Sequence, residues 1–195
     1  MTIRKGQPWG DPVERPADLL VTASDAELSA ALDGGPDRPI GVSAGDLHRS
    51  LGSPPDRREM QRLPIDAIVI TVDGHRYTAV AHMVVRRSWW RGRVVAAMNV
   101  DHLGSWNVAP RAHPNDGRLD LIEVDAAMGP RERWQARARL PSGTHVPHPR
   151  IRTWTATEAA WEFDRPQAVW VDGVRVAAAR SVTVAVAPDA FVVVV

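Results

Sequence analysis

The chain has 195 residues, 44% of them apolar, with 24 Lys+Arg against 23 Asp+Glu and no cysteine. That length supports one packed domain, or one domain plus an appended piece. A net charge of +1 supplies no global field for nucleic acid, and the lack of cysteine excludes disulfides, thiol nucleophiles and thiolate metal sites.

Residues 1–16 read as a Pro- and Gly-punctuated lead-in that Trp9 docks onto the body. Lys5, within it, is the only lysine, which argues against a Schiff-base mechanism. The lead-in lacks the apolar h-region of a secretory leader, and no apolar run approaches the ~20 residues of a membrane span. The expectation is a cytoplasmic protein, at most peripheral at a membrane. A short apolar strand follows at 19–22. Ser24-x-x-Glu27 is a capping-box sequence and opens a helix to about 32. A second strand at 40–42 and a short helix at 45–51, stopped by Gly52 and Pro54-Pro55, complete a small α/β piece.

From residue 66 the texture becomes that of a β protein. Strands are expected at 67–72 and 77–85 around the Asp73-Gly74 turn, and then at 94–100 and 118–124. The one clear helix of this half is 130–140. Strands follow at 153–157, 160–163, 168–171, 174–178, 182–186 and 191–195, the last of them returning toward the N-terminal part. Many short strands separated by turns favour a β-sandwich, so the fold class read from pattern is α+β.

Several side-chain groupings carry candidate chemistry. Asn115-Asp116-Gly117 is an acidic turn feeding a half-buried strand, and Asp172-Gly173 is a hairpin turn. Asp46 and Arg49 sit on one short helix and read as a helix-end ion pair. His145 and His148 are three apart, but Pro147 and Pro149 preclude a helix there and no third ligand accompanies them, which argues against zinc. Arg86, Arg87, Trp89, Trp90, Arg91 and Arg93 interleave guanidinium with indole. That mixture suits an anionic lipid surface, or equally a cross-strand packing cluster with solvated arginines. A single-stranded nucleic-acid platform conflicts with the near-zero net charge.

Three motifs in order, Ala109-Pro110 to Asp116-Gly117-Arg118-Leu119-Asp120, Gly143-Thr144-His145 to Pro149, and Asp172-Gly173-Val174, resemble the C-terminal domain of the diacylglycerol and sphingosine kinase superfamily of lipid kinases. That family's pattern is Ala-Pro then Asp-Gly-x-Leu-Asp, Gly-x-His then Pro, and Asp-Gly-Glu. Residues 39–52 are similar to its Gly-Thr-x-Asn-Asp-Phe-Ala-Arg-x-Leu-Gly segment; Asp46 and Arg49 match, and Gly45 replaces the asparagine. Asp25 and Leu28 fall on its nucleotide-binding Gly-Gly-Asp-Gly-Thr loop. The resemblance spans residues 18–195 and is densest from about 99 onward. It implies a truncated nucleotide-domain remnant at 17–62 and a larger β-sandwich-like domain at 63–195. It also implies Asp25 and Asp46 as nucleotide-loop residues, and Asp116 as a Mg²⁺ ligand helped by the His113 and Arg118 carbonyls.

The departures from the family bear on chemistry. A Gly-rich loop grips phosphate through bare N–H groups at a helix start, whereas Ser24 and Glu27 satisfy those groups internally. Glu27 would also oppose a triphosphate, since like unit charges at ~4 Å repel by about 4 kcal/mol at an effective dielectric of 20. Val174 stands where the family's general base is a glutamate, and valine accepts no proton. Asp172 and Glu162 are the neighbouring acids. The leading expectation is a degenerate, non-catalytic lipid-kinase homologue that binds a lipid, a small ligand or a protein partner. One alternative is an ATP- and Mg²⁺-dependent lipid kinase completed by a partner or by a second copy of the chain. The other is a structural or scaffolding subunit.

Overall fold

After Glu59 the chain is rich in β-branched residues and alanine. In the computed structural model, which describes residues 9–35, 37–55 and 58–195, these runs build one continuous 11-stranded sheet. Its main path uses β1 (Asp11–Glu14), β4 (Glu59–Val72), β6 (His82–Arg86), β7 (Val94–Met98), β10 (Leu119–Val124), β11 (Ile151–Ala156), β12 (Glu158–Val171) and β13 (Val174–Val194). The order is β1-β4-β13-β12-β6-β7-β10-β11, with β5 (His75–Ala79) added on β4. Helix α3 (Pro130–Arg139) and a hairpin of β8 (His102–Leu103) and β9 (Trp106–Asn107) lie outside this path.

The sheet folds over itself. Ile68 and Ile70 of β4 share one buried cluster with Leu119 and Leu121 of β10, although β13, β12, β6 and β7 separate those strands in pairing order. Period-two alternation then gives β6, β7 and β10 a second apolar face. Met83, Val85, Val95, Ala97, Leu119 and Leu121 point into the sandwich. Val84, Val94, Ala96, Met98 and Ile122 point the other way into a separate cluster. The result is an α+β molecule dominated by a β-sandwich.

The N-terminal unit, β2 (Leu20–Thr22), α1 (Asp25–Asp33), β3 (Ile40–Val42) and α2 (Asp46–Ser50), joins this sheet directly. β2 pairs parallel with β3, and β3 pairs parallel with the end of β13 through Val193↔Ile40 and Val194↔Gly41. The end of β13 thus lies beside the N-terminal unit. The division read at 62/63 falls inside β4, which pairs with β1 on one side and β13 on the other. Trp9 docks as expected: its indole N–H donates to the Pro64 carbonyl at 3.2 Å, and its ring lies 4.6 Å from His113. Residues 1–8 of the lead-in, and Pro36 of the loop after α1, lie outside the described residues. No described helix is long and apolar enough to cross a membrane.

Several strand boundaries differ from the sequence reading for physical reasons. The pairs expected at 160–163 and 168–171 are one strand, β12, interrupted by a register shift between Glu162 and Gln167 where Pro166 has no N–H to give. The three expected at 174–178, 182–186 and 191–195 are likewise one strand. β13 shifts register between Ala187 and Phe191, around Pro188 and the left-handed Asp189 (φ 51°). That irregularity redirects β13 onto β3.

Phe191, 9% exposed, sits at this seam in a cluster with Leu28 of α1, Leu47 of α2, Ile40 and Ile65. Phe191→Ala should destabilise the chain by about 3–5 kcal/mol, read as a lower urea midpoint in a single transition. Early, separate melting of residues 17–62 would show instead that the seam does not couple the two parts.

Candidate functional site

A buried polar cluster lies where the N-terminal unit meets the sandwich. Asp172 ends β12 in a left-handed turn (φ 46°) followed by Gly173 (φ 82°). Its Oδ2 accepts the Val80 amide at 2.9 Å and the Ser29 hydroxyl at 2.5 Å. Oδ1 accepts the amides of Ala81 at 3.0 Å and His82 at 2.9 Å. A side chain thereby takes the amides that a strand partner would take, and the single strand expected over 77–85 divides into β5 and β6.

Asp25, the first residue of α1, accepts the amides of Asp46 at 2.6 Å and Leu47 at 3.1 Å, so its carboxylate caps α2. Gly45 makes this approach feasible. It has φ 106°, and a Cβ there would lie 2.5 Å from Asp25 Oδ1. At the start of α1 half of the expected capping box forms: Ser24 Oγ accepts the Glu27 amide at 3.2 Å, while Glu27 Oε2 accepts the amide of Ala23, one residue before the cap, at 2.8 Å.

Asp46 does not pair with Arg49, as the helix spacing suggested. Its Oδ2 meets His82 Nε2 at 3.0 Å, and its two oxygens accept the Gly104 amide at 2.8 and 3.0 Å. His82 therefore sits among Asp46, Asp172 and Asp25. Burial presses its pKa down, but the hydrogen bond to Asp46 and the three carboxylate fields raise it. For Asp46, burial pushes the pKa up and the His82 bond and Gly104 amide outweigh it, leaving the value low. Asp25 is pushed up to about 6, chiefly by burial, with Asp172 and Asp46 adding to the effect and its two amide bonds opposing it. His82 and Ser29 are the members that the sequence reading missed. The only signal was a histidine opening an apolar strand.

The acidic turn is a separate locality. Asp116 Oδ1 accepts the Arg118 amide at 3.0 Å. Asp66, fully buried, organises the turn from β4, accepting the Gly117 amide at 2.7 Å and the Asn115 side-chain amide at 3.2 Å. Burial raises the Asp116 pKa, and burial together with the field of Asp116 raises that of Asp120 to about 6. Among the described residues no three His, Asp or Glu side chains are grouped for a metal ion. Val174 is 51% exposed and Glu162 is exposed on β12.

The third feature is a cavity of about 100 Å³ on the outer face of β6, β7 and β10. Val84, Ala96 and Ile122 form its floor, and Trp89, Trp90, Trp106 and Ala136 are among its other walls. Arg133, 5% exposed, holds α3 over it. Its guanidinium donates to the carbonyls of Met128 at 2.9 Å, Trp89 at 3.2 Å, Gly92 at 2.5 Å and Asp125 at 3.0 Å. Trp89 meets Trp106 edge-on at 5.5 Å, and Arg137 lies over Trp90 at 5.5 Å and Trp106 at 5.1 Å.

The arginine–tryptophan segment therefore splits in two. Arg86 stacks between Trp89 at 4.4 Å and Trp170 at 4.7 Å, and Arg93 pairs with Glu123 at 2.8 Å. Arg87 and Arg91 are exposed, as is Trp90 at 40%. Trp134 on α3 is 65% exposed.

Residues 57–195 match the family described as the YegS C-terminal NAD kinase beta sandwich-like domain. The chain belongs to this family. No curated protein matches it by sequence. A solved diacylglycerol kinase from Bacillus anthracis str. Sterne superposes with a TM-score of 0.60 at 13% identity, covering 90% of this chain and 75% of that one. A candidate diacylglycerol kinase from the same organism gives a TM-score of 0.64 at 13% identity, covering 90% and 77%. At that identity the likeness is one of fold, and the fold is diacylglycerol-kinase-like. Within this YegS-type sandwich, Asp25, Asp46 and Asp172 come together around His82, whereas Asp116 lies in the Asp66 turn.

Two outcomes follow from the His82 cluster. Asp172→Asn keeps the shape but puts an NH₂ group where amides donate, and should cost about 2–4 kcal/mol in urea unfolding; a cost under about 1 kcal/mol would remove Asp172 as the anchor. The second concerns pH. The folded pKa of Asp25, about 6, lies above its ordinary 3.8, so folded protein holds the extra proton and stability falls as pH rises between those values. The raised His82 pKa continues the fall above its ordinary 6.5. Asp46, held low, contributes stability above 3.8 that is lost as pH drops below it. Stability should therefore peak on the acid side and decline by on the order of 2 kcal/mol toward neutrality. His82→Gln should flatten the portion above about pH 6.5. A curve rising steadily from acid to neutral pH would contradict this cluster.

Proposed function

We propose that this diacylglycerol-kinase-like chain binds an amphiphile with an apolar tail at an anionic membrane surface, and that it does not transfer phosphate from ATP. The observation carrying this reading is the cavity beneath α3. It is apolar and lined by tryptophans, and Trp90 and Arg137 bring it to the surface. Beside them stand exposed Arg87, Arg91, Arg131 and Arg139, together with Trp134. Indole at a boundary and guanidinium toward phosphate suit a lipid headgroup layer.

The N-terminal unit supports the non-catalytic half of the reading. An anion at a helix start needs free amides. Here Ser24 engages the Glu27 amide of α1, Glu27 engages the Ala23 amide just ahead of it, and Asp25 engages the first two amides of α2. A carboxylate on the first amides of α2 and another beside the start of α1 oppose an anion at these helix starts, which supports the reading without ATP. Asp172 has four donors on its two oxygens, which leaves it poorly placed to take a proton in place of the glutamate that Val174 replaces. One observation favours a narrower second reading, in which Asp116 holds Mg²⁺. Burial raises both Asp116 and Asp120, with the field of Asp66 adding at Asp116 and that of Asp116 adding at Asp120, and a divalent cation would relieve that.

Sedimentation with phosphatidylcholine vesicles should require added phosphatidylglycerol, weaken with salt, and drop severalfold in an Arg87→Glu/Arg91→Glu variant. Ala136→Leu, which fills the cavity from α3, should lower amphiphile affinity without lowering the melting temperature. Mg-ATP should give no heat of binding. Transfer of label from ATP to diacylglycerol, lost in Asp46→Ala or Asp116→Ala, would overturn this reading in favour of a kinase completed by a partner or second copy. If no amphiphile and no vesicle binds, the scaffolding alternative takes its place.

A further inference from the structure

The sheet at the seam has helices on one face only. Leu28 of α1 and Leu47 of α2 cluster with Ile40, Leu63, Ile65 and Val193, all on its inner side. Register and period-two alternation put Val21, Gly41, Val194, Arg62 and Asp11 in one row on the opposite side, crossing β2, β3, β13, β4 and β1 in turn. Val192 and Pro64 stand paired in the next row. No described helix covers this outer side. Leu19 reaches over Gly41, its Cδ2 3.2 Å from where a Cβ would stand. Val21, 45% exposed, and Val192, 37% exposed, project there as bare apolar side chains. Strands in parallel pairing, as β2, β3 and the end of β13 are, ordinarily lie buried on both faces.

We infer that a second copy of the chain docks on this outer side, face to face across a two-fold axis, so that each copy covers the apolar row of the other. Charge selects a second copy over other occupants. The open depression beside Val192 and Val194 has two acids in its lining, Asp33 and Asp37, and two bases, Arg38 and Arg62. So even a mixture opposes a polyanion with its acids and a basic partner with its arginines, but complements its own copy. Asp11 and Arg62 extend the argument. They stand directly opposite one another on β1 and β4, both exposed, and neither forms an ion pair among the described residues. A two-fold axis passing between them sets each against the opposite charge of the other copy. Strand addition is not the route. At the outer edge of β2 the Leu19 amide donates to the Pro16 carbonyl at 3.4 Å and the Ala23 amide to Glu27 at 2.8 Å, which blunts that edge. This association is independent of what the cavity beneath α3 binds.

Sedimentation velocity of the full chain should show a reversible dimer with a Kd on the order of 1–10 µM. Val192→Glu and, separately, Val21→Glu should each raise that Kd by at least about tenfold, because symmetry presses the new carboxylate onto the apolar row of the other copy. Val174→Glu, the same change at a valine 51% exposed on the β12–β13 turn, should leave it within about twofold. Val21 and Val192 are exposed, so melting temperatures measured below the Kd should match wild type, which separates lost docking from lost fold. Arg62→Glu should also weaken the dimer about tenfold, and adding Asp11→Arg should restore most of the loss. A wild type that stays monomeric at about 100 µM, or a dimer indifferent to both valine variants, would overturn the inference. So would a monomer that uses Val21 and Val192 to hold a different protein. A charge reversal that the double change fails to rescue would overturn the placement of the two-fold axis.

Discussion

The Asp172 carboxylate is the interaction on which the arrangement depends. Its four donors come from α1 (Ser29) and from the junction of β5 and β6 (Val80, Ala81 and His82), while the carboxylate itself hangs from the β12–β13 turn. A buried charge is tolerable only when nearly every lone pair is engaged, and losing one partner leaves the remainder costly. That requirement ties three distant chain segments to one point. It ends β5 where it does, turns the imidazole of His82 toward Asp46, and holds the N-terminal unit against the sandwich.

The same logic governs the helix starts. The first amides of a helix have no partner within it and attract anions. In this chain the first two amides of α2 meet the Asp25 carboxylate, and at α1 the Ser24 hydroxyl takes the Glu27 amide while Glu27 takes the Ala23 amide just ahead of the helix. Gly45 belongs to this device: its φ of 106° and missing side chain let the Asp25 carboxylate close on α2. The glycine that departs from the lipid-kinase pattern and the aspartate that remains from it are therefore one structural unit. Internal capping makes the junction of α1 and α2 part of the fold's own hydrogen bonding.

The outer cavity arises from a different constraint. Strands β6, β7 and β10 are apolar on both faces, so a sandwich partner alone leaves half of that surface bare. α3 covers it, and Arg133 holds the cover through carbonyls alone, bridging α3 to the 89–92 loop. Tryptophans supply bulk around the gap and arginines stack on their outer rings. His145, Arg133 and Arg137 are the polar side chains in this otherwise apolar lining.

Element types were largely legible in the sequence: the capped helix at Ser24, the hairpin at Asp73-Gly74, the helix at 130–140 and the β-rich second half follow from local periodicity and turn chemistry, and the three lipid-kinase-like motifs from resemblance to a known family pattern. Motif order likewise carried the family. Local pattern could not tell that Asp46 would choose His82 over Arg49, that five short apolar runs would merge into β12 and β13, or that Asp116 would lie apart from Asp25 and Asp172. Those outcomes depend on which groups meet after the sheet folds over itself, and a hydrogen bond between residues 90 or 143 positions apart leaves no trace in spacing. The sequence by itself determined which segments are strands and helices, because that depends on neighbours in the chain. Only the tertiary structure decided which carboxylates are satisfied and where an apolar gap remains, because burial and pairing are set by neighbours in space.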